Sequence, residues 1–166
     1  MSMCVRLSHA LLALVISVVP ASLAVAENTP PAPPAPPPGV VIAHECAQQM
    51  QEVTQQTVGA IVMAAHNGAD RIGQLDEGGA PDLALIAAAG NARDRVNDRA
   101  QAGRQRVNHL SAHCLHALEH LDVPPPIRMI VINARDHALD VIGTARQNGI
   151  VAINAALAEA LSGDKG

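Results

Sequence analysis

Asp76-Glu77-Gly78-Gly79-Ala80-Pro81 decides how this chain folds, because it is the clearest turn between two long helical patterns. Paired glycines favour the end of one helix, and a proline followed by Asp82 favours the first turn of the next. A second break, Asp122-Val123-Pro124-Pro125-Pro126, stops the pattern that follows. Two breaks separate three segments, so the sequence predicts an all-α fold: an elongated up-down-up three-helix bundle over residues 40–162.

Each segment carries a single apolar stripe with a spacing of three and four residues, which is typical of α-helices. The segments run from about Ile42 to Leu75, from Pro81 to about Leu121, and from about Ile127 to Leu161. The third opens with a β-branched run, Ile127 to Ile132, that a strand would also favour. Because no second convincing strand is available to pair with it, we predict a helix there.

The stripes also predict which side chains are buried. The chain has no Phe, Tyr or Trp, so the core has to be built from Leu, Ile, Val, Met and many Ala residues. Asn67-Gly68 and Gly90-Asn91 fall inside the first two segments and are sites where those helices could end or kink. In the second segment the predicted buried positions are Leu83, Ala87, Gly90, Val96, Ala100, Gly103, Val107, Leu110, Cys114, Ala117 and Leu121.

Residues 1–26 have the composition of an export signal. Arg6 gives a basic start, an apolar run extends from Leu11 to Val19, and Ala24-Val25-Ala26 forms a small-residue cleavage site. The apolar run is short for a transmembrane helix and Pro20 would break it, so we expect contact with a membrane only transiently, during export. We therefore predict a periplasmic or secreted protein.

Residues 27–39 form a proline-rich leader, in which Pro30 to Pro38 contains only proline and alanine. Such a run favours an extended polyproline helix and cannot build a packed core. We predict that the leader is disordered, and the alternatives are a semi-rigid spacer or a docking segment for a proline-binding module. Residues 163–166 are predicted to be a flexible tail.

Charge and composition argue against several classes of function. The net charge is −4 for the whole chain and near −5 without the signal, from 10 basic and 15 acidic side chains. Nucleic-acid-binding proteins need clustered Lys and Arg, so we expect no nucleic-acid partner. The charged run in the second segment predicts a solvated face, with docking of an acidic partner as the alternative. This run consists of Arg93, Asp94, Arg95, Asp98, Arg99, Arg104 and Arg106.

Two cysteines remain once Cys4 leaves with the signal. An even number of cysteines in an exported protein predicts a disulfide, here between Cys46 and Cys114, and free thiols or metal ligands are the alternatives. Folding the chain about Gly78 places residue 46 opposite residue 110 or so, within about one helical turn of the second cysteine. The bridge would close a loop of 68 residues and stabilise the fold by about 4 kcal/mol.

Four histidines of the second segment are candidates for chemistry. They lie four, three and four residues apart, which places them in a line on one side of a helix, beside the buried stripe. Imidazoles at i and i+4 can chelate Zn, Cu or Ni. Solvated surface histidines are the simpler interpretation, and mutual repulsion of charged imidazoles at acidic pH is a third. The candidate metal ligands are His109, His113, His116 and His120, supplemented by His44 and His137.

The sequence contains no motif that predicts catalysis. Ser111 and Cys114 lie close to His113, but no orienting acid is apparent and a disulfide-bonded cysteine is not a nucleophile. We expect no enzyme activity and no cofactor. The first prediction is an exported structural or protein-interaction module with an unknown protein partner, and a homo-oligomer is one way to bury its Ala- and Gly-lined stripes. The alternative is a His-rich periplasmic protein that binds Zn, Cu or Ni.

Overall fold

The computed structural model describes residues 35–162. Three helices follow one another, α1 (Pro38–Glu77), α2 (Asp82–Glu119) and α3 (Pro125–Leu161), and each packs against the other two. The predicted all-α three-helix bundle is confirmed. The predicted export signal, most of the proline-rich leader and the predicted tail lie outside the described residues. Within residues 35–162, no helix has both the length and the apolar character needed to cross a membrane.

Proline and glycine set the helix ends at the predicted turns. α1 begins at Pro38, inside the predicted leader and earlier than the predicted start near Ile42, because a first helical turn does not need the N–H that proline lacks. Gly79 has a φ of +67°, a left-handed conformation that favours glycine and closes the turn after α1. α3 begins at Pro125 for the same reason as α1.

Neither Asn67-Gly68 nor Gly90-Asn91 ends its helix, since α1 and α2 continue through both. Gly68 is buried against α2, and a Cβ added there would overlap the Cβ of Ala92. This glycine therefore lets two helices approach closely and does not terminate one of them. A Cβ at Gly90 would meet no atom within 4 Å, and the helix accommodates this residue at its ordinary propensity cost of about 1 kcal/mol.

The predicted stripe of α2 is wrong in its first turns and near its end. Near the end, Ser111 and Leu118 are buried, whereas Leu110 and Ala117 are only half-buried and Leu121 is 45% exposed. Leu83, expected in the core, is 80% exposed, whereas Leu85 and Ala89 are fully buried. In the first turns, the error comes from the break that was expected at Gly90. Because of that break, the predicted buried positions before Gly90 did not have to continue the helical spacing that begins at Val96. Because the helix is continuous, the three- and four-residue spacing extends back from Val96 without interruption.

The helices approach each other closely at small residues, and this close packing compensates for the lack of aromatic side chains. Gly103 of α2 lies against Thr57 of α1, and a Cβ added there would be 2.9 Å from the Thr57 Cβ. A Cβ on Gly149 of α3 would be 3.3 Å from the Cβ of Ala65 and 3.5 Å from Cγ1 of Val96. Thr57 is buried at its contact and donates its hydroxyl to the Val53 carbonyl, 2.7 Å away. All three helix pairs therefore include a contact at a small residue, where close packing adds many dispersion contacts.

The predicted disulfide is confirmed. Cys46 of α1 and Cys114 of α2 are bonded, with their Cα atoms 6.2 Å apart. Both cysteines are buried. The bond joins the two helices near the start of α1, far along the bundle from the turn that contains Gly79. It therefore ties together one end of a hairpin whose other end is closed by the chain itself.

The contact at Gly103 makes this glycine intolerant of a side chain. We expect Gly103→Ala to lower the free energy of unfolding by about 1–3 kcal/mol, because the new methyl group overlaps Thr57. Gly90→Ala, in open space on the same helix, should raise it by about 0.5–1 kcal/mol, because alanine restricts the unfolded chain and favours helix. Urea unfolding followed by circular dichroism measures both changes. Equal effects of the two substitutions would contradict the close approach of α1 and α2.

The disulfide should contribute to stability through the loop of 68 residues that it closes. We expect the Cys46→Ala/Cys114→Ala variant to lose about 4 kcal/mol of unfolding free energy, because its unfolded chain has more freedom. Urea unfolding of this variant and of the native chain with and without reductant measures the loss. Two free thiols in the unreduced, unfolded protein, detected by mass after alkylation, would contradict the bond itself.

Candidate functional site

The four histidines of the row lie on the exposed side of α2, over its last turns and the capping residue His120 that follows them. His109, His113, His116 and His120 are all exposed, whereas Ser111, Cys114 and Leu118 between them are buried. The sequence therefore placed the row correctly beside the core. Exposure leaves the imidazole nitrogens accessible to solvent and to ions.

Only two of these histidines are in contact. The Nε2 atoms of His116 and His120 are 3.3 Å apart. Their ring centroids are 4.6 Å apart and the ring planes meet at 76°. A carboxylate oxygen of Glu119 lies 3.7 Å from Nδ1 of His116. The last turn of α2 and its capping residue therefore hold two imidazoles and one carboxylate within a small volume.

The other candidate ligands lie in different places. His109 lines a groove between α1 and α2 that also includes Glu52 and Arg106. His44 and His137 line a groove of about 490 Å³ between α1 and α3, which none of the four α2 histidines reaches. The predicted supplementation of the row by His44 and His137 is therefore not seen. Among residues 35–162, no three His, Cys, Asp or Glu side chains are grouped so that they could hold a metal ion.

Backbone and disulfide contacts restrict three of the candidate residues. His44 donates its Nδ1–H to the carbonyl of Val40, 2.8 Å away, which leaves only Nε2 free on that ring. Cys46 and Cys114 are bonded to each other, so neither thiolate is available as a ligand or nucleophile. The chemistry accessible on this face comes from imidazole and carboxylate groups.

A second surface feature was not recognised in the sequence. A groove of about 740 Å³ between α1 and α2 contains Met63 on one side and Arg95, Asp98 and Arg99 on the other, so its α2 side carries two guanidinium groups and one carboxylate. Met63 is 63% exposed. Ala60 and Ala64 of α1 complete the apolar side of the groove. The sequence signal that could have indicated this groove is Met63, an apolar residue that lies outside the predicted buried stripe of α1.

The arginines of the charged run differ in their partners. Arg93 donates to Oδ1 of Asn154 on α3, 2.8 Å away. In the part of the chain that the structure describes, no carboxylate lies within 4.0 Å of Arg95 or Arg99. Both side chains are exposed and one helical turn apart. Two guanidinium groups are therefore free to bind acidic groups from outside the bundle.

Several large apolar side chains are exposed elsewhere on the bundle. The most exposed are Leu83 at 80%, Met63 at 63%, Val62 at 57% and Val151 at 55%. They contribute little to the core, which is filled by other residues. Comparison with known protein families, with curated proteins and with solved structures found no match to this chain.

Proposed function

We propose that the protein is an exported, non-catalytic protein-interaction module that binds a protein partner in the groove containing Met63, Arg95 and Arg99. The observation that carries the proposal is an exposed apolar side chain opposite two arginines without a carboxylate partner in the described residues. Export to a periplasm or to the medium is supported by the signal-like N-terminus and by the disulfide, which persists in oxidising compartments.

The chemistry of the groove indicates the kind of partner. Met63 is flexible and polarisable, so it adapts to different apolar surfaces, and burial of its remaining exposed surface would contribute about 1–2 kcal/mol. Arg95 and Arg99 present planar guanidinium groups that pair with carboxylates through two hydrogen bonds. A partner segment with an apolar anchor and neighbouring Asp or Glu residues matches both features. Helices that bind in such grooves repeat their anchors every three to four residues.

The groove residues are exposed, so substituting them should change binding without unfolding the bundle. Met63 is not part of the buried core, and Arg95 and Arg99 are exposed. Substitutions at exposed positions usually change stability by less than about 0.5 kcal/mol. Binding can therefore be removed by mutation while the bundle remains folded.

Two other functions have narrower support. A second copy of this chain is an alternative occupant of the groove, since its acidic residues could meet the same arginines. The histidines indicate transition-metal binding as the alternative function. The contact between His116 and His120 supports it, but the other histidines of the row do not contact this pair. The groove is the larger surface and favours the interaction module.

Photo-crosslinking tests the groove in cells that naturally produce the protein. A benzophenone amino acid at position 63 should give one discrete protein adduct, and Arg95→Glu/Arg99→Glu should reduce its yield about tenfold or more, because each charge-assisted contact contributes about 1.5–3 kcal/mol. The same amino acid at Gln147, exposed on α3, is the matched control. Circular dichroism and the melting temperature should be unchanged in every variant.

Three results would count against this function. Equal adducts from positions 63 and 147 would show contact without a specific site. If the yield of the adduct at position 63 were unchanged by Arg95→Glu/Arg99→Glu, the two arginines would not contribute to binding of the partner. An adduct with the mass of two copies of this chain would assign the groove to self-association and not to a different partner.

A further inference from the structure

We propose that His116 and His120 together bind one divalent transition-metal ion through their Nε2 atoms, with Zn²⁺ as the ion whose geometry fits best. The proposal does not depend on the protein-interaction groove, which lies between α1 and α2 and includes neither histidine. It assigns the site to two of the four histidines in the row and leaves the other two as solvated side chains.

The distance between the two nitrogens carries the argument. Zn²⁺ binds imidazole nitrogen at about 2.0–2.1 Å, so two ligands at a tetrahedral angle are about 3.3–3.4 Å apart. The Nε2 atoms of His116 and His120 are 3.3 Å apart. A square-planar angle would instead require about 2.8–3.0 Å at similar bond lengths. The same distance allows a hydrogen bond between the two nitrogens, which a bound ion would replace. The spacing itself matches that of two ligands on a tetrahedral ion.

The two rings meet through their Nε2 atoms in an edge-to-face arrangement. The ring centroids are 4.6 Å apart, farther than the Nε2 atoms, so the rings approach each other at their Nε2 edges. Glu119 lies 3.7 Å from Nδ1 of His116, where its charge favours the tautomer with the proton on Nδ1. That tautomer leaves the Nε2 lone pair for the metal, as carboxylates behind ligating histidines commonly do.

The position at the end of α2 favours a cation. α2 ends at Glu119, and the carbonyls at a helix C-terminus carry partial negative charge. The Glu119 carboxylate adds a negative charge to the same turn. The His116 side chain is 69% exposed, so water can complete the coordination shell. We therefore infer an open, exchangeable site and not a buried structural one.

The other pair in the row provides the comparison. His109 and His113 have the same i, i+4 spacing on the same helix and the same general exposure. Among the described residues, the rings of His109 and His113 make no contact with each other. His109 instead lines a different groove between α1 and α2, which also includes Glu52 and Arg106. Both pairs therefore have the same spacing along the helix, but only His116 and His120 have ring nitrogens close to each other.

Isothermal titration of Zn²⁺ into the untagged, disulfide-bonded protein tests the site. We expect one ion per chain, with affinity reduced about tenfold or more in His116→Ala/His120→Ala, because loss of both ligands exceeds the usual effect of losing an outer-shell partner. His109→Ala/His113→Ala, the matched control, should bind within about twofold of the native protein if these histidines are not ligands. All four side chains are exposed, so both variants should fold normally.

The opposite results are equally clear. Equal loss of affinity in the two double variants would assign binding to the whole row and overturn the assignment to one pair. Zn²⁺ uptake that exceeds one ion per chain and is unchanged in both variants would show weak surface binding only. No heat of binding at any accessible concentration would also overturn the proposal. None of these outcomes affects the crosslinking result at position 63, so the two proposals fail separately.

Discussion

Close approach of the helices at small residues is the interaction on which the rest of this structure depends. A chain without Phe, Tyr or Trp has no large side chains with which to fill wide spaces between helices. Gly68, Gly103 and Gly149 instead let the helix backbones come close enough for small side chains to make continuous contact. The disulfide acts on the same bundle at one end only, by joining α1 and α2 near the start of α1.

This packing determines which surfaces remain for function. Met50, Leu85 and Leu118 are buried in the core, whereas Met63 and Leu83, which are side chains of the same kinds, lie outside it. The clefts between the helices remain as grooves on the surface, and the proposed protein-binding surface is one of them. The last turn of α2 extends beyond the disulfide and presents its histidines to solvent. Fold and surface chemistry are therefore carried by different residues of the same helices.

Much of the fold was predictable from local sequence, whereas the site was predictable only in part. The turn at Gly78-Gly79, the three helices and the cysteine pairing follow from breakers, spacing and an even cysteine count. The register of early α2 was missed because Gly90 looked like a break, although a helical glycine with open space around its Cα changes only local propensity. Helical spacing located the histidine row, but ring contacts depend on side-chain rotamers that spacing does not encode. The Met63 groove depends on the pairing of α1 with α2, which no single segment contains.

The central claim is that small-residue contacts, and not the disulfide alone, hold the bundle together along its length. Native-state amide hydrogen exchange followed by NMR tests it most directly. Gly68 lies 22 residues from Cys46, about 33 Å along α1, and packs on Ala92. The account predicts that amides around Gly68 and Ala92 exchange as slowly as those around Cys46 and Cys114. Protection that is high beside the disulfide and falls steadily toward the turn at Gly79 would contradict it.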